Sequence, residues 1–210
     1  LLTLLGTISV AVAQSTADQW NRFKQKSAKG LNIDANAILD SLEATAHHNG
    51  DTLLLLHVHV ERGILLNSYS QHHEKDAIFY IDSVMQHSTF PYRNLYERIL
   101  SQYLYLYQTL NYVKIAQRKV TSDTALSHLD EWPASVLQNA IVQHQQASQA
   151  NGEMLKKYPL QDFLFLFPDS MPQYLYESSS LYDMIFGPQA DTNSIYDKAV
   201  RYYEMALHSN

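Results

Sequence analysis

The sequence predicts an all-α protein, built from antiparallel helical hairpins as a repeat-like array or an irregular bundle. Three observations carry that expectation. Apolar residues recur at spacings of three and four in one segment after another, which places them on one helical face. Glycine, Asn-Gly and proline fall between those segments, where helices begin and end. Residues 92–118 contain neither glycine nor proline. With 46% apolar and 17% charged residues over 210 positions, the chain is globular in composition and long enough to bury about 70% of its unfolded surface.

The first helix is carried by "DQWNRFKQKSAKG", which puts Trp20, Phe23 and Ser27 on one face, and Gly30 closes it as a C-terminal cap. "NIDANAILDSLEATAHHNG" repeats the pattern through Ala35, Ile38, Leu39, Leu42 and Ala46. Asn49-Gly50 then turns the chain, and Asp51 caps the next helix. That next run, "DTLLLLHVHVERGILLNSYS", is apolar enough for a strand. Leu56, Val60, Ile64 and Asn67 nevertheless continue at helical spacing, with Gly63 inside, and the helix is preferred. Ala77, Ile78, Ile81, Val84 and Met85 mark a cleaner helix. Pro91 opens the long segment through Leu95, Ile99, Tyr103, Leu106, Leu110 and Val113, proline being suited to a helix start. Within it, "YLYLY" alternates like a strand, but the period before and after is near 3.6, so it too is helical. A polar break, "TSDTALSHLDEWP", precedes a helix carrying Val136, Leu137, Ala140, Ile141 and His144. Prolines 159, 168, 172 and 188 then punctuate short elements. In the last segment Ile195, Ala199, Tyr202, Tyr203 and Ala206 share a side. Its "DKAVRYYEMAL" resembles the second helix of a tetratricopeptide repeat, although no matching period recurs along the chain.

Residues 1–13, "LLTLLGTISVAVA", form an apolar run ending in Ala-Val-Ala, the core and cleavage site of a secretory leader. The expectation is an exported protein of the periplasm or cell envelope, possessing one helical domain over 14–210 and a sub-boundary near 118–133. No later apolar run is long enough for a transmembrane helix. Cysteine is absent, which excludes disulfides, thiolate metal sites and a cysteine nucleophile. A formal charge of −6 with 15 basic residues argues against nucleic acid as a partner.

Ten histidines raise a metal-dependent enzyme as a reading from another class. On a helix His57 and His59 point about 200° apart, and "HHEKD" at 72–76 lacks the second histidine of H-E-x-x-H. His47 and His48 belong to a helix C-terminus, where imidazolium is favoured. The acid pairs Asp123/Asp130 and Asp162/Asp169 could be invoked for glycoside hydrolysis, but nothing fixes their separation, and loop solvation and helix capping account for them better. No nucleophile elbow or Gly-rich phosphate loop is present. The expectation is a non-catalytic protein with no cofactor and no metal site.

Several landmarks occur in an order that resembles a known family. Phe90-Pro91 with Leu100, Tyr103 and Tyr107 come first, then Asp130-Glu131-Trp132, Val136-Leu137 and Ala140-Ile141. "LKKYPLQDFLFLF", with Pro159, Leu160, Phe163 and Leu164, precedes Leu181-Tyr182-Asp183 and Ile185-Phe186. The set is similar to the N-terminal helical region of the large alpha-2-macroglobulin-like proteins of Bacteroidetes, over residues 15–210. The chain departs from that pattern at Glu131, at Ser179-Ser180 and at Gly187-Pro188. The resemblance implies an exported scaffold, often lipid-anchored, placed before the bait and thioester segments that trap proteases. Without a cysteine after Ala13, soluble export or outer-membrane association without a lipid anchor is expected.

The functional expectation is therefore a scaffold or docking domain, its partner the downstream domains of the same chain or another exported protein. The alternative is a freestanding periplasmic adaptor or ligand-binding module resembling tetratricopeptide repeats. The expected surface is aromatic: Tyr96, Tyr103, Tyr105, Tyr107 and Tyr112 on the long helix, with Phe163, Phe167, Tyr174, Tyr176 and Tyr182 beyond it.

Overall fold

A computed structural model describes residues 16–68, 74–119, 124–167 and 179–186. The leader at 1–13, His72 and His73, Asp123, Asp169 and the helix expected near 192–207 lie outside the described residues. Within them the fold is all-helical, and the one bridge, between Pro159 and Ser180, is isolated.

The helices are α1 (16–28), α2 (Asn32–Asn49), α3 (Thr52–Ser68), α4 (Glu74–Gln86), α5 (Tyr92–Leu110), α6 (Tyr112–Ala116), α7 (Ala134–Ser148), α8 (Gly152–Leu155) and α9 (Leu181–Phe186). Tight 3-10 turns occupy Leu126–Glu131 and Leu160–Leu166. Neighbours in sequence are neighbours in space: α2 packs on α3, α3 on α4 and α4 on α5, while α5 packs most extensively on α7. The link between α2 and α3 is formed by Gly50 and Asp51. Gly50 takes φ 65°, ψ 26°, which costs glycine no Cβ clash. The Asp51 N–H meets the Ala46 carbonyl at 2.9 Å, and its carboxylate Oδ1 accepts the Leu54 N–H at 2.9 Å. One helix is closed and the next opened by a single pair of residues.

Helix α3 divides the interior. Leu56, Val60 and Ile64 join a main core that continues through Ile78 and Ile81 of α4, Leu95, Ile99 and Leu100 of α5, and Leu137 and Ile141 of α7, to Leu181 and Ile185 of α9. Val58 and Leu65 point the other way, into a second core made with Phe23 of α1 and Ala35, Leu39 and Leu42 of α2. A helix buried on two sides is apolar around most of its circumference. That is why "LLLLHVHV" reads like a strand and is not one. Gly63 lies where α4 and α5 come closest: a Cβ there would meet the Tyr103 hydroxyl at 3.2 Å and Ile81 Cδ1 at 3.3 Å. The 3-10 turn in the expected boundary at 118–133 contributes Leu129 to the main core, as does Trp132 just after it.

Candidate functional site

The ten aromatic positions divide by burial. Tyr96, Tyr103, Tyr107 and Phe163 are core residues, so the expectation that they present a docking surface is corrected. For the three tyrosines the physical reason is that α5 is enclosed between α4 and α7, leaving little of its circumference to solvent, whereas Phe163 lies in the 3-10 turn Leu160–Leu166, which packs on α3. Phe167 and Tyr182 are half-buried, and Tyr182 stacks on Phe186 with centroids 4.5 Å apart. Tyr174 and Tyr176 lie outside the described residues. Tyr105 and Tyr112 are exposed, by 48% and 70%, and are joined by Leu110 at 45% and Val113 at 68%. Leu110 and Val113 belong to this surface although the sequence places them on the apolar face of the helix. The difference arises because only Ile115 of α6 reaches the core, so the C-terminal end of α5 and most of α6 stand clear of it.

Of the buried tyrosines of α5, Tyr96 and Tyr107 have hydroxyls that meet internal partners. Tyr107 donates to Asp130 Oδ1 at 3.1 Å and accepts from Arg118 Nη2 at 3.0 Å. Lys75 pairs with the other Asp130 oxygen, and Arg118 Nη1 donates to the carbonyls of Leu129 and Trp132 at 3.1 and 2.8 Å. Burial would raise the Asp130 carboxyl, but hydrogen bonds from Lys75 and Tyr107, with the nearby charges of Lys75 and Arg118, hold it below its ordinary range. On the other side of α5, Glu97 meets His144 Nδ1 of α7 at 2.6 Å, and Asn94 Nδ2 donates to the Ser148 and Ala150 carbonyls at 2.8 and 2.7 Å.

A denser polar joint sits between the two cores. Asn36, Asp40 and Glu43 recur at helical spacing on α2 and all accept from one guanidinium. Arg62 Nη1 donates to Asn36 Oδ1 at 2.9 Å and Asp40 Oδ1 at 2.7 Å, and Nη2 to Glu43 Oε2 at 2.8 Å. Buried His59, one turn away, sets Nδ1 2.6 Å from the Tyr96 hydroxyl and Nε2 3.5 Å from Glu43 Oε1; with the ring proton on Nε2, facing the carboxylate, Nδ1 is the acceptor of the Tyr96 hydroxyl. Tyr80 of α4 meets the His59 ring edge-on at 5.9 Å. Burial lowers the His59 imidazole below its ordinary value, against the attraction of Glu43. Burial likewise pushes the phenols of Tyr80 and Tyr96 far upward, so both are neutral; Tyr96 is bonded to His59, whereas the Tyr80 hydroxyl has no hydrogen-bond partner among the described residues.

His57 lies elsewhere, stacked between Trp20 at 3.9 Å and Phe165 at 4.2 Å, with Glu61 Oε1 at 3.7 Å. The two histidines do not converge, as their spacing on a helix requires. Among the described residues no group of three or more His, Asp or Glu side chains is arranged to hold a metal ion. The sequence pattern does not point to the Glu43-His59-Tyr96 chain. Its only trace there is a histidine at an inward position of an apolar helix.

No family model, curated protein or solved structure matches this chain.

Proposed function

We propose that this chain is a non-catalytic helical scaffold, the N-terminal docking domain of an exported alpha-2-macroglobulin-like protein, whose partner is the downstream part of the same polypeptide. The observation that supports the reading is the exposed end of α5 and α6. Tyr105, Leu110, Tyr112 and Val113 expose large side chains along the last turns of α5 and the start of α6, and exposed apolar surface supports a contact role. Exposed Lys114 and Lys119 flank it and favour a partner segment with an acidic rim. Two buried or half-buried histidines, in contrast, serve contacts between helices. His59 with Glu43 and His144 with Glu97 each join two elements of the fold.

Two measurements test it. The native polypeptide carrying this sequence, recovered from its own cells with an antibody, should be several times heavier than 24.1 kDa. A mature product near that mass overturns the macroglobulin-like reading and leaves a freestanding adaptor. In a longer native chain, a photo-crosslinking residue at position 112 should join this domain to downstream segments. An uncrosslinked product there, with the domain folded, removes the docking role.

A further inference from the structure

The polar joint and the second core together describe a part of the molecule that can open by itself. Helices α1 and α2 meet α3 through a small apolar cluster, Phe23, Ala35, Leu39 and Leu42 against Val58 and Leu65. Beyond its own partner α1, α2 packs extensively on α3. Beside that cluster, Arg62 and His59 of α3 hold Asn36, Asp40 and Glu43 of α2. His59 is roofed by α2 and floored by α4 and α5, whose Tyr80 and Tyr96 sit in the main core or against it. Water reaches its ring most readily by the lifting of α2, because moving α5 would breach the main core.

We propose that His59 is an acid-sensitive latch: its protonation releases the α1–α2 hairpin from α3 while the body from α3 to α7 stays folded. The geometry supplies the reason. In the closed state Nδ1 accepts the buried Tyr96 hydroxyl, so a proton on Nδ1 reverses that bond and takes away the acceptor of the Tyr96 hydrogen. The charged and titratable groups facing the ring are Glu43 and His47 from α2, Arg62 from α3 itself, Tyr80 from α4 and Tyr96 from α5. Of these only Glu43 is anionic, and its second oxygen already accepts from Arg62. Arg62 and a protonated His47 repel the new charge, and burial opposes it. The closed state therefore takes up its proton at lower pH than the opened state. Stability of the closed hairpin is intact above the ordinary histidine value, about 6.5. It is lost progressively as pH falls from there toward the lowered closed-state value, below which the loss is complete.

The test is hydrogen exchange on the whole chain between pH 7.5 and 5, with opening constants corrected for the intrinsic pH dependence of exchange. Amides of residues 36–46 should open more readily below about pH 6.5, by at most about tenfold per pH unit for one proton. Amides of residues 95–107 should not change. His59→Gln, whose side-chain amide can accept from Tyr96 and donate to Glu43, should flatten the profile of 36–46, and His47→Gln, which removes only the smallest source of repulsion, should weaken the response without abolishing it. The latch is overturned if the two segments open together, if neither responds, or if the response of 36–46 survives in His59→Gln. Should His59→Gln fail to fold, the ring resonance of His59 in the unaltered chain decides. A midpoint below 6.5 with selective opening of 36–46 supports the latch, and a midpoint at or above 6.5 overturns it.

Discussion

The two sides of α3 solve the same packing problem by different means. Toward α4 and α5 the contact is mainly apolar, with Leu56, Val60 and Ile64 set against Ile78, Ile81, Leu95 and Ile99 and the His59–Tyr96 bond at its edge. Toward α2 a smaller apolar cluster shares the work with Arg62, His59 and three polar residues of the opposing helix. Apolar burial is non-directional and indifferent to pH. A charged joint specifies one register between two helices, and its strength changes with the protonation of its members. The body is accordingly the stable unit, and the hairpin is the part whose attachment conditions can alter.

The largest expected effect probes that difference directly. Leu100 in the main core and Leu39 in the second are both fully buried. Either, changed to alanine, leaves a cavity that costs about 2–5 kcal/mol. Leu100→Ala should lower the stability of every helix, seen as one urea transition moved to lower denaturant. For Leu39→Ala the loss should appear first in α2, as faster amide exchange at 36–46 with α5 little changed. Equal acceleration in both segments for Leu39→Ala would show one cooperative unit and break the comparison.

A smaller effect belongs to the join between α5 and α7. Asn94 is buried, and its amide holds the Ser148 and Ala150 carbonyls at the end of α7. Asn94→Ala strips both carbonyls of that donor and should cost about 1–3 kcal/mol. Because this contact lies wholly inside the body, the loss should appear in the global transition and leave the pH response of α2 as it was. A midpoint unmoved within error would mean that water replaces the amide there.

Most of the helices are legible in the sequence because their signals are local. Gly50 and Asp51 close α2 and open α3 by bonds spanning three to five positions, and such bonds leave spacing in the sequence. The strand-like look of Leu53–Val60 and of "YLYLY" comes from tertiary structure: α3 and α5 are each covered on two sides, so the polar gap that betrays a helix is missing. The expected aromatic surface is too wide for the same cause. A tyrosine on an enclosed helix looks identical in sequence to one on an open face, because its hydroxyl is satisfied by water or by a distant side chain. Tyr96 finds its acceptor 37 positions away in His59, and His144 finds Glu97 at 47. Pairings of that range result from the packing of helices and leave no periodic trace. Tyr105 is exposed because it occupies the outward face of a stretch whose neighbours Leu104 and Leu106 are buried, and Tyr112 because it lies beyond the end of α5.

The smallest expected effect sharpens the contrast between the polar joint and the main core. Tyr103 is buried deep in the main core, and its hydroxyl has no hydrogen-bond partner among the described residues. Burial pushes its phenol far above the ordinary value, so it stays neutral across the accessible pH range. Tyr96 is the same residue type on the same helix, but its hydroxyl is bonded to His59. Tyr103→Phe removes a desolvated hydroxyl that has no partner among the described residues, so it should be neutral or stabilising by about 1 kcal/mol. Tyr96→Phe removes a made bond and leaves His59 Nδ1 without its donor, and should be destabilising by about 1–2 kcal/mol. Paired urea denaturation of the two variants reads the difference. Equal and unfavourable shifts would mean that Tyr103 is hydrogen-bonded in solution, and that the main core is less dry than its packing shows.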